Sequence, residues 1–324
     1  MFEKKKGLAK TNHLAMEKFP LYSPMMLKAD QDFLLGYDPS YFLRLAAQFQ
    51  LPAYQSDSAS LHEDNGEHDL LPDNIELFEA TKTSFLHQLR YLSSEAFLLL
   101  LISGYPFGPT LKVLQKVQGK KLIGILDSLA QSIPPDLSGV FPKDGFKKID
   151  PELCFEDWLR HCLLSGNADL YDSSQMTDLA EFVANEAKFV GKRDAINAFK
   201  HGRIIKGGLG QGVQISLNRE GNRIPLLAKM NGFISWLSWS EGKEPAPIEQ
   251  HIFTGIEEAN NEDDYEVLKF VAGLSGLIKR VRLFHLQGCD EIKCFAPDPM
   301  KIIKPPQRVI LKETEVYSLP KEKR

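Results

Sequence analysis

Asp178–His201 reads DLAEFVANEAKFVGKRDAINAFKH, and its spacing decides how the chain is to be read. Leu179, Phe182, Val183, Phe189, Val190 and Ile196 recur at helical intervals and define one buried stripe on an α-helix. Glu186, Arg193, Asn197 and His201 fall on the same stripe, 7, 4 and 4 residues apart, so they stack along one side of the helix. Polar groups placed where a core belongs must find partners or bind something.

Toward the N-terminus, Leu71–Gly104 predicts an earlier long helix. Pro72 and Asp73 open it, and Gly104 with Pro106 closes it. Leu77, Phe78, Phe85, Leu89, Leu92, Ala96 and Leu99 mark its inner face. Thr110–Gln131 continues helical with a break near Gly119, Ile133–Gly139 (IPPDLSG) is a turn-rich joint, and Pro151–Leu164 is a short helix around Trp158. Residues 1–35 have no period and predict an irregular arm. Pro39–Gln50 reads as a short helix capped by Ser40, and Gln55–Asp69 as a flexible acidic loop.

The character changes after Gly202. Val213–Leu217 alternates like a strand, Asn218–Asn222 reads as a hairpin turn, and Arg223–Lys229 returns. Phe233–Trp239 is a candidate third strand, and Glu291–Phe295 and Val309–Tyr317 are candidate edge strands. Between them Asp263–Leu286 is a third long helix, with Tyr265, Leu268, Val271, Leu274, Ile278 and Val281 inward. Lys279, Arg280 and Arg282 suit its negative end. The expected fold is mainly α: a helical bundle with a small antiparallel β-hairpin or sheet annex in the C-terminal third. Residues 1–70 form the arm, short helix and acidic loop; residues 71–205 the bundle; residues 206–324 the annex, the third long helix and an extended tail.

With 324 residues the chain is long enough for a sizeable core. Its formal net charge of -4 gives no global basic field, which leaves only a local basic patch for nucleic acid. No apolar run reaches the roughly 18–20 residues needed to cross a bilayer. The basic N-terminus MFEKKKGLAK lacks the apolar segment of a secretory signal, so no membrane partner and a cytoplasmic location are expected. Cys154, Cys162, Cys289 and Cys294 fit no common zinc spacing, even with His161 beside Cys162, and read as reduced thiols. Neither metal nor cofactor is expected.

An Arg, an Asn and a His on one helix face can hold a phosphate and move a proton. Arg193 would stabilise the charge that builds on a phosphorane, Asn197 would orient the phosphate or the imidazole, and His201 would act as general base or acid. Attack of a ribose 2′-hydroxyl on its own phosphate needs no more than this. The other reading is structural. Lys200 and His201 complement the helix dipole just before the C-capping Gly202, Asn197 satisfies a backbone carbonyl, and Glu186 and Arg193 pair through a residue on a neighbouring helix.

A long helical hairpin followed by Arg193-Asp194, Asn197 and Lys200-His201-Gly202 near the end of the next helix resembles the HEPN superfamily. Members are small helical domains of prokaryotic toxins, phage-defence proteins and RNA-processing factors. The resemblance covers about Leu71–Ile205. It implies a homodimer that brings two motifs into one cleft, RNA as a partner, and metal-independent cleavage by Arg193, Asn197 and His201; Glu186, Asp194 and Lys200 are the candidate binding residues beside them. The family places four to six residues between its Arg and His, whereas seven separate Arg193 from His201. Eight helical steps set the two side chains roughly 80° and about 12 Å apart. That separation predicts a degenerate catalytic line on a protein that works by association with itself, a protein partner or RNA. A metal-independent ribonuclease and a scaffold subunit are the two alternatives.

Lesser features have plainer readings. Gly207–Gly212 lacks the strand-before, helix-after context of a dinucleotide loop and reads as a connector. Trp236 and Trp239, with Phe233, suggest a stacking platform, but their spacing puts the two Trp on opposite strand faces. Glu257, Glu258, Glu262, Asp263 and Asp264 read as a solvated helix start, and His87 as a residue that faces His201 or packs structurally.

Overall fold

The computed structural model describes residues 21–48, 74–105, 107–141, 153–164, 170–192, 204–207, 213–219, 222–228, 232–241, 248–287, 296–298 and 308–317, with 74–81 and the extended segments described by backbone alone. These residues are mainly helical. In chain order the helices are α1 (Pro24–Gly36), α2 (Tyr41–Gln48), α3 (Asn74–Ile102), α4 (Thr110–Lys116), α5 (Lys120–Ala130), α6 (Phe155–Leu164), α7 (Ser173–Gly191) and α8 (Asn261–Gln287).

The chain divides into two compact units. One comprises Met1–Leu45, Arg90–Gly191 and Glu266–Pro305; the other comprises Ala46–Leu89, Lys192–Tyr265 and Pro306–Arg324. In the first, α7 is the packing centre: α5 and α6 both lie against it, and α1 lies against α4. Phe182 of α7 meets Phe97 of α3 at 6.5 Å and Phe270 of α8 edge-on at 4.8 Å between ring centroids. In the second unit the backbone extends at β1 (Ile204–Gly207), β2 (Val213–Arg219), β3 (Asn222–Ala228), β4 (Gly232–Glu241), β5 (Ile248–Glu258) and β6 (Arg308–Tyr317). The order β1-β4-β5-β6 is antiparallel throughout, and β2 pairs with β3 in a register that sets Arg219 opposite Asn222.

Local chemistry sets the helix ends. Asp172 Oδ1 accepts from Gln175 N at 2.8 Å while Asp172 N donates to Gln175 Oε1 at 3.0 Å, a reciprocal cap that starts α7. The long stripe therefore begins at Ser173, five residues before the Asp178 expected from periodicity. Asn260 caps α8 by accepting from Glu262 N at 3.0 Å. Gly119, with φ +55, separates α4 from α5 where the sequence predicts a break. Gly104 ends α3 where a Cβ would come within 2.4 Å of the Cys162 carbonyl oxygen, so α3 and α6 approach as they do only because nothing stands there.

Three expectations are corrected. Residues 24–36 are a helix and no irregular arm: Ser23 Oγ accepts from Met26 N at 3.3 Å, Pro24 occupies the first turn, and Leu27, Asp30 and Leu34 face inward. Leu89 is buried as expected, but the buried face of α3 also runs through Leu86, Arg90, Ser94, Phe97 and Leu101, whereas Leu92 is 38% exposed and Phe85, Ala96 and Leu99 are half-buried. The buried surface thus reaches at least one residue, about 100° around the axis, beyond the line that apolar residues alone suggest. Polar residues off that line, Arg90 and Ser94 among them, are buried. On α8, Leu268, Val271, Leu274, Ile278 and Val281 are buried as predicted and Tyr265 half so, but Arg282 is not a solvated dipole partner; it is buried.

Candidate functional site

Glu186 lies on the buried stripe of α7 and is only 2% exposed. A carboxylate there needs compensation, and α3 supplies it. Arg90 NH2 donates to Glu186 Oε1 at 2.5 Å and Arg90 Nε to Oε2 at 3.4 Å, a two-pronged fork. Ser94, one turn on from Arg90, donates from Oγ to Oε2 at 2.6 Å. Phe189, one turn past Glu186, closes the other side, with the Arg90 guanidinium carbon 4.4 Å from its ring centroid. Tyr91 OH donates to the Val190 carbonyl at 3.0 Å, in the last turn of α7, where carbonyls lack intrahelical partners. Glu186 thus pairs across helices, and its partner is Arg90 on α3.

A second buried guanidinium sits elsewhere in the same unit. Arg282 NH1 donates to Ser103 O at 2.7 Å, and NH2 donates to Gly108 O at 2.6 Å, Tyr22 OH at 3.0 Å and Asp30 Oδ2 at 3.3 Å. Its guanidinium carbon stands 4.6 Å from the Phe107 ring centroid. Asp30 also accepts from Tyr22 OH at 2.7 Å, Thr110 Oγ1 at 3.3 Å and Leu111 N at 3.1 Å. Burial pushes the Tyr22 hydroxyl well above the usual phenol range against the opposing pull of Arg282. Burial likewise raises the Cys162 thiol well above its usual range, with Arg282 again opposing.

In the other unit, His87 Nδ1 lies 3.0 Å from Asp264 Oδ2, both buried. Asp264 is therefore no solvated acid, although Glu262 is exposed and Asp263 half-exposed as expected.

Of the sequence-derived site residues, Glu186 falls within the described structure; Arg193, Asp194, Asn197, Lys200 and His201 lie outside the described residues. The Gly208–Gly212 part of the glycine-rich loop, Cys289, Cys294 and the candidate strand Glu291–Phe295 lie outside them too. Cys154 is exposed and Cys162 buried, both as free thiols. Among the described residues no group of three or more His, Cys, Asp and Glu is placed to hold a metal ion. No helix among them is long and apolar enough to cross a membrane. Sequence reasoning missed Arg90, Ser94, Asp30 and Arg282. The signal that would find them is a charged residue at the 3–4 spacing of a helix's apolar line, read as inward. No family model, no curated protein and no solved structure matches this chain.

Proposed function

We propose that the chain is a HEPN-like cytoplasmic protein that acts by association, first of all with a second copy of itself, and that the polar line of the Asp178–His201 stretch is catalytically degenerate. Glu186 carries this reading. Both its oxygens are engaged by Arg90 and Ser94 in a closed interior, so the part of the line it occupies fastens two helices together and meets no substrate. In the same reading β1 to β6 form the antiparallel annex of the bundle. Association is favoured by apolar side chains that α1 and α2 leave in water: Met25 is 79%, Leu35 58% and Tyr41 52% exposed.

Light scattering on the full chain tests the reading. A dimer mass that falls to the monomer in Leu35→Arg and Tyr41→Arg is the expected result, and a wild-type chain that stays monomeric overturns it. RNA incubated with the protein in chelator should stay intact. Cleavage that disappears in His201→Ala would instead establish the metal-independent ribonuclease built on Arg193, Asn197 and His201.

A further inference from the structure

We propose that the outer face of α4 and α5 is a docking surface for the phosphate backbone of nucleic acid, a role beyond the self-association argued above. From Ala96 to Leu126 the sequence contains no Asp or Glu, in a chain whose acidic residues outnumber its basic ones by 43 to 39. Lys112, Lys116, Lys120 and Lys121 all fall in that acid-free interval. Lys112 and Lys116 are one turn apart and share a side of α4, beside the line of the buried Thr110, Val113 and Val117. Lys120 stands on α5 away from the buried Leu122, Ile125, Leu126 and Leu129, and Lys121 flanks it with its ammonium over Gly139. Lys116 and Lys120 are exposed, and Lys112 and Lys121 half-exposed.

Two features mark this cluster as more than a solvated helix face. None of the four side chains forms an ion pair or hydrogen bond among the described residues, in contrast to Lys269 with Glu266 and Lys279 with the carbonyls of Leu35 and Tyr37. Lys120 and Lys121 also sit in the first turn of α5, at the positive end of its dipole, with no acidic residue there and no side-chain cap at Gly119. That placement is unfavourable in the free protein and is relieved when an anion arrives. The acidic groups nearest in sequence are Glu95 before the interval and the exposed Asp127 two turns along α5. A run of separated cations fits the repeated charge of a phosphate backbone.

Fluorescence anisotropy of labelled 20-nucleotide single-stranded RNA and DNA, titrated with the full chain, tests this. Four phosphate contacts predict a log–log salt slope of about −3, equivalent to roughly a 50-fold loss of affinity between 50 and 200 mM salt. Replacing all four with Gln should lower affinity at least about tenfold at the lower salt and bring the slope toward zero. Circular dichroism should show unchanged helicity, and Lys269→Gln should bind as wild type. RNA and DNA that bind alike identify backbone recognition, whereas a preference for RNA adds a contact to the 2′-hydroxyl. Equal binding by wild type and the four-Gln variant overturns the proposal, as does no binding at 50 mM salt. So does a polyglutamate peptide that binds as tightly as the nucleic acids, since it would make the partner an acidic protein. Mass by light scattering on the same samples reports self-association separately.

Discussion

Two buried arginines do the same work by different means. Arg90 commits its fork to one carboxylate, Glu186, with Ser94 completing the acceptor. Arg282 distributes its donors over two backbone carbonyls, a phenol and the more distant Asp30. Both lie against a phenylalanine ring at about the same height, 4.4 and 4.6 Å. The difference lies in who depends on whom. Among the described residues the cation paired with Glu186 is Arg90, with Ser94 as the neutral donor beside it. Arg282 keeps two strong carbonyl acceptors if Asp30 is lost, and Asp30 keeps Tyr22, Thr110 and a backbone N–H if Arg282 is lost.

The largest expected effect is therefore on the first pair. Arg90→Met, which leaves Glu186 buried and unpaired, should destabilise by about 3–5 kcal/mol in urea unfolding. Arg90→Met combined with Glu186→Leu should recover most of that loss, because apolar replacements of similar volume need no compensation. A double variant as unstable as the single one would contradict the assignment of the cost to an orphaned charge. Asp30→Asn is expected to cost less, about 1–3 kcal/mol, since the amide still accepts and Arg282 retains its carbonyls. Equal losses at the two sites would erase the distinction between a committed and a distributed guanidinium.

Tyr22 sharpens the comparison at smaller amplitude. Its folded-state pKa lies above the unfolded one, so its contribution is complete below about pH 10 and is lost as pH rises further toward the folded value. Tyr22→Phe should cost on the order of 1 kcal/mol near neutrality and flatten the alkaline arm of the stability profile. A profile whose alkaline arm is unchanged in that variant would separate Tyr22 from the cluster. The smallest effect belongs to Leu92→Ser, within about 0.5 kcal/mol, because that side chain faces water despite its place in the apolar pattern.

Leu92 also explains what could and could not be read in advance. Helical class, the break at Gly119, the inward row of α8 and the burial of Glu186 follow from spacing and turn chemistry. The inner face of α3 does not, because hydrophobic periodicity assigns polar residues to solvent, and here Arg90 and Ser94 occupy the centre of the buried line. The same blindness hides α1, whose stripe is Leu27, Asp30 and Leu34 with a carboxylate in the middle. Its cap, Ser23 before Pro24, is a two-residue signal with no apolar period behind it. Partners such as Arg90 for Glu186, 96 residues away, belong to tertiary structure and leave no local trace.

The bond between Asp30 and Arg282 spans 252 positions of the chain. At ribosomal speeds of about 5–20 residues per second, that distance is on the order of tens of seconds of synthesis. Throughout that interval the nascent N-terminal segment holds an acid whose cationic mate has not yet been made. Final closure of this bundle is thus a late event in the life of a newborn molecule, and a ribosome stalled before α8 would display α1 to whatever waits at the exit.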